Sequence, residues 1–164
     1  MAQNPMKKKK NRPNYFRKQE EKFGPHFISR KTSVDIQRDA MMVFRDIARG
    51  NIDFERDSKY FTNAQFMLNI QKVAYDEYTK HYINQTATAS YLGYFGNSLD
   101  AATRANVEAV HNQNTIQVNI YGILSAGLAN ISQLASAGCD ENSINIKEAI
   151  HSLVNQMFPY RYNI

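Results

Sequence analysis

Between Ala109 and Cys139, apolar side chains recur every three or four residues, at Ile116, Ile120, Ile123, Leu124, Leu128, Ile131 and Leu134. That spacing predicts a stripe along one face of an α-helix. Asn114, Gln117, Tyr121, Ser125, Ser132 and Ser136 lie between them and fall largely on the other side. A helix that faces water usually carries Lys and Glu there, where they form i,i+4 pairs. This stretch holds no Asp, Glu, Lys or Arg in 31 residues. Its amides, hydroxyls and alanines cost little to desolvate when their hydrogen bonds are met. Gly122, Ala126, Gly127 and Ala129 would let another backbone approach closely. The pattern fits a core helix of one domain, or a helix buried on several sides by protein partners. A membrane span ranks third: Ile120 to Cys139 has the length, but Asn130 and Gln133 lie inside it.

Three further stretches carry the helical period. Ser33 to Arg49 shows an apolar face of Ile36, Ala40, Phe44 and Ile47, with Met41 and Val43 at its margins, Ser33 as N-cap and Gly50 as the stop. Arg38, Arg45 and Arg49 line another side, among Asp39 and Asp46. Asn51 to Tyr60 reads as a connector with room for a short helical turn, anchored by Phe54. A second long helix runs from Thr62 or Asn63 to about Tyr91, with Phe66, Ile70, Val73, Ala74, Tyr78 and Tyr82 in register. Gly93 and Gly96-Asn97 end it, and Ser98 or Asp100 caps the charge-free helix, which Gly138 closes. A capping box of Asn145 and Glu148 opens the last helix. Its buried stripe is Ile146, Ala149, Ile150, Leu153, Val154 and Met157, and Pro159 stops it.

Charge changes the picture at the N-terminus. Residues 1–31 hold ten Lys or Arg against Glu20 and Glu21, a net of +8, while the remaining residues hold ten against thirteen, a net of −3. Basic arms of this kind meet phosphate backbones or acidic protein surfaces. Lys7, Lys8, Lys9, Lys10, Arg12, Arg17 and Lys18 are the candidate contacts. Tyr15, Phe16, Phe23, Phe27 and Ile28 interleave with these charges. They are expected to dock the arm onto a neighbouring subunit, ahead of stacking on bases. One cysteine excludes an internal disulfide, and no apolar run follows the lysines as a secretory signal would require. The expected location is therefore a virion or the cytoplasm.

Motifs for chemistry are missing from the sequence. His26, His81, His111 and His151 are far apart, and no Cys pair offers a zinc site. Glu77 and His81 share a helix face at i,i+4, which reads as a surface pair sooner than as metal ligands. Cys139 has no nearby base, and the glycines at Gly93 and Gly96 lack the spacing of a phosphate loop. No cofactor and no metal is expected. In its basic arm and its long helices rich in Asn, Gln, Ala and Ser, the chain resembles small virion proteins of tailed bacteriophages. The resemblance is one of composition and covers no defined motif.

The expected fold is all-α: three main helices, two of them long, packed antiparallel, with an extended basic N-terminal arm. Residues 1–32 form the arm, 33–158 the helical domain and 159–164 a short tail. The expected function is a non-enzymatic structural or assembly subunit of a larger complex, whose partners are copies of itself or other subunits. Its interface would include Tyr15, Phe16, Ile116, Ile120, Ile123, Ser125, Leu128 and Ile131. The alternative is a small nucleic-acid-binding protein that acts through the arm.

Overall fold

The computed structural model describes residues 14–23 and 32–164. Among them every regular element is helical. α1 spans Tyr15–Phe23, α2 Ser33–Ala48, α3 Phe54–Phe61, α4 Ala64–Phe95, α5 Ala101–Ser136 and α6 Ile144–Met157.

Side-chain caps set most of these boundaries. Thr32, one residue before the expected cap, opens α2: its hydroxyl accepts from the Asp35 amide while the Asp35 carboxylate accepts from the Thr32 amide. Gly50 follows the end of α2 with φ +69°, a left-handed conformation that strains any side chain. Asp53 caps α3 by accepting from the amides of Glu55 and Arg56, which turns the expected connector into two turns of helix. Asn63 caps α4 through the Phe66 amide at 2.9 Å, and Asp100 caps α5 through the Thr103 amide at 2.7 Å.

Two expected boundaries move. Gly93 lies inside α4, which continues to Phe95 and a short 3₁₀ turn, Gly96–Ser98. Ser143, not Asn145, caps α6. A tight turn ending in Ser143 N–H to Asp140 O at 3.0 Å leaves Ser143 as the last extended residue, so Asn145 is already helical.

α4 and α5 pack along each other and form the spine of the molecule. Tyr78 lies beside Gly122, Gln85 bonds Thr115, and Thr88 bonds His111. Rising numbers on one helix therefore meet falling numbers on the other. At ~1.5 Å per residue the 36 residues of α5 extend ~54 Å. The core of the described residues occupies one end of this spine. Val43, Phe44 and Ile47 of α2 meet Phe66, Met67, Ile70 and Ala74 of α4 there. Ile120, Leu124, Leu128 and Ile131 of α5 and Ile146, Ile150, Leu153 and Met157 of α6 complete it. α6 comes close to α5 because position 127 has no side chain: a Cβ there would lie 2.5 Å from Leu153 Cδ1.

α1 belongs to this body. Tyr15 and Phe16, expected to anchor an arm on a neighbour, are buried in the chain's own core. The Phe16 ring stacks on Tyr60 at 5.0 Å and touches Phe61 and Phe66 at 5.6 and 5.7 Å. The N-terminus of α1 is bonded to the body as well. The Tyr15 amide donates to Asp46 at 2.8 Å, and Asn14 Nδ2 donates to Asn51 O at 2.8 Å and to Asp57 at 3.2 Å. Basic charge alone placed these residues with the arm; an aromatic pair that fills a gap beside α3 and α4 places them with the domain.

Candidate interaction surface

α5 divides into two halves that the sequence does not separate. In the inner half, Ile120, Leu128 and Ile131, expected at an interface with other subunits, are fully buried by this chain. Ile123 is half-buried against the same core. Ser125 was expected opposite the apolar stripe and is also half-buried. It sits three residues after Gly122, which lies beside the Tyr78 ring of α4. Tyr121, assigned to the polar side by the pattern, is buried as well. Its ring stacks on His81 at 5.8 Å, meets Phe44 edge-on, and sends its hydroxyl to Met41 Sδ at 3.6 Å. Burial, aided by the negative charge of Glu77, pushes its phenol up to about 12. Cover by α4, α6 and the core accounts for the missing charges on the buried and half-buried faces, where an unpaired charge would be desolvated; Ala126, Asn130, Gln133 and Ser136 are exposed and uncharged.

Among the described residues the outer half has less cover: α4 lies along one side, and the C-terminal tail reaches only Gln117, which donates to Asn163 O at 3.5 Å. From Thr79 to Asn119 no hydrophobic side chain belongs to the described core or packs against it. A polar seam joins the two helices instead. His81 Nδ1 meets Asn114 Oδ1 at 3.0 Å, Gln85 donates to Thr115 at 3.0 Å, and Thr88 and His111 Nδ1 meet at 2.9 Å. These bonds hold the pair in register. At the base, Glu77 bonds Lys80 at 2.9 Å and approaches His81 Nε2 at 3.4 Å. The Glu77–His81 pair is thus a side-chain contact within the hairpin. No group of three His, Cys, Asp or Glu is placed to hold a metal among the described residues.

The outside of this hairpin is nearly uncharged and mixes amides and hydroxyls, such as Asn84, Thr86, Asn112 and Gln113, with large apolar side chains. Tyr82, Ile83, Tyr91, Tyr94, Phe95, Val110 and Ile116 are all exposed there. No Asp, Glu, Lys or Arg occurs from 81 to 99 or from 109 to 139. The three charges in between are committed at the tip: Asp100 caps α5, and Arg104 pairs with Glu108 at 3.1 Å. Of the residues named from the sequence as interface, Ile116 is the one that lies on this open surface.

The basic candidates divide as well. Lys7, Lys8, Lys9, Lys10 and Arg12 lie outside the described residues, while Arg17 and Lys18 are exposed on α1. On α2, Arg38 pairs with Asp35 at 2.8 Å and Arg49 reaches the carbonyls of Arg161 and Ile164 at 3.5 Å, so both are engaged within the chain. No helix among the described residues is long and apolar enough to cross a membrane. Comparison with protein-family models, curated proteins and solved structures finds no match to this chain.

Proposed function

We propose that this protein is a non-enzymatic structural subunit of a larger assembly, such as a bacteriophage particle, and that its projecting hairpin meets the other subunits. One observation carries the reading: some 25 Å of paired helix projects beyond the core without charge along its flanks and with seven large apolar side chains open to water. A two-helix hairpin that adds no side chain to the core gains little from hydrophobic burial, and a row of large apolar side chains open to water marks a protein contact. Tyrosine and phenylalanine dominate it, the residue types enriched where interfaces bury their cores. The basic arm ahead of Asn14 adds a second contact, on an acidic neighbour or on nucleic acid.

The test is the size of the native complex in cells that produce the protein. Gentle extraction followed by size-exclusion chromatography should place this 18.8 kDa chain in a much larger particle. A chain that elutes alone under all conditions would remove the structural role.

A further inference from the structure

We infer that the exposed ridge of α4 is a two-fold contact between two copies of this chain. The inference rests on the structural-subunit reading and names the partner. Leu68, Tyr75, Tyr82 and Ala89 follow one another at intervals of seven, which places them on one seam of the helix. The three large ones are 63%, 60% and 50% exposed, unusually open for such side chains on one line. The ridge stands on a firm base. Tyr82 stacks on Tyr78 at 5.9 Å, and Tyr78 lies against α5 where a Cβ at Gly122 would be 3.5 Å from its ring. Little side-chain freedom is then lost on association.

A second copy fits this ridge. In a two-fold pairing centred on Tyr75, the two α4 helices run in opposite directions. Leu68 of each copy meets Tyr82 of the other, and the two Tyr75 rings meet at the axis. The exposed charges beside the seam are Lys72 and Asp76, which share one flank of α4, and the two-fold sets Lys72 of each copy beside Asp76 of the other, so the two lysines bracket the two aspartates. α5 brings no charge to the contact between 109 and 139. The area is sufficient. From Leu68 to Ala89 the ridge runs ~32 Å, and a hairpin ~20 Å across then offers ~600 Å² in projection, close to the ~800 Å² per partner of a standard stable interface.

The test uses the purified full chain in sedimentation equilibrium from about 1 to about 200 µM, a span that covers ordinary dimer affinities. The parent should reach twice its 18.8 kDa mass. Tyr75→Lys sets two lysines face to face at the axis and should weaken the dimer about 100-fold or more, with an unchanged helical circular dichroism spectrum. Tyr94→Lys, at the hairpin tip, should leave the dimer intact. Should Tyr75→Lys fail to fold, Tyr75→Cys with Cys139→Ser decides: mild oxidation should link two chains. A Tyr75→Lys variant that dimerises like the parent, or a cysteine at 75 that never links, overturns the pairing. A parent that is monomeric when purified yet migrates in a large particle in extract overturns the two-fold contact and leaves the structural role standing. A monomer in both overturns both.

Discussion

Replacing Phe16 with alanine removes a fully buried ring that joins α1 to the body of the protein. Tyr60, Phe61 and Phe66 all lie within 6 Å of its centroid, so the neighbours are large and cannot easily close the gap. Losses of this kind combine the transfer energy of the ring with the cost of the cavity left behind, about 4 kcal/mol together. A domain of ordinary stability has about 5–15 kcal/mol in all. With a urea slope of about 2 kcal/mol/M, the midpoint should fall by about 2 M. Phe16→Leu, which keeps most of the volume, should cost about 1 kcal/mol. Removing residues 1–13 should leave the midpoint unchanged, whereas removing residues 1–23 should match or exceed the alanine variant. Urea unfolding followed by circular dichroism reads all four proteins. A midpoint shift under about 0.5 M for Phe16→Ala would mean that α1 is not part of the packed fold, and the assignment of Tyr15 and Phe16 to the core would fail.

Other outcomes follow from single sites. Gly127→Val should cost about 1–3 kcal/mol in the same assay, because even a Cβ at this position already runs into Leu153, while Gly93→Ala, with open space around it inside α4, should gain about 0.5–1 kcal/mol. Burial holds the carboxyls of Asp46 and Asp57 above their ordinary value, and Asp57 Oδ1 has no hydrogen-bond partner. Their contribution is therefore full below the ordinary carboxylate pKa and lost as pH rises through the raised values, so the urea midpoint should rise as pH is lowered from neutrality into that range. Asp46→Asn with Asp57→Asn should flatten the dependence, and a midpoint independent of pH in the parent would contradict it. If the arm binds nucleic acid through about five or six phosphates, the affinity for a DNA duplex should fall with salt at a log–log slope of roughly −5. Removing residues 1–13 should then abolish the binding in fluorescence anisotropy without unfolding the protein, and equal binding by the truncated chain would end that role.

The helices, and most of their ends, are written in local sequence, because a helix needs only a periodic apolar face and a residue that satisfies its first amides. Residue type alone placed Gly138 after α5 and narrowed its cap to Ser98 or Asp100, of which the structure uses Asp100. The errors at Ser33 and Asn145 are one or two residues wide and occur where two polar residues compete to cap the same turn. The absence of charge from 109 to 139 was also plain in the sequence, but its cause was not. Periodicity gives the angle of a residue around its own helix and says nothing about what stands opposite. Only the packing decides that Tyr78 covers Gly122, that Leu153 closes over Gly127, and that no described hydrophobic side chain between Thr79 and Asn119 reaches the core. For the same reason Phe16 read as an anchor for a neighbour: its partners Tyr60 and Phe66 lie more than forty residues away, and a long-range contact of this kind leaves no local trace. Residue spacing determined which apolar side chains share a helix face; the tertiary structure decided which of them the chain buries itself and which, on the hairpin, it leaves open.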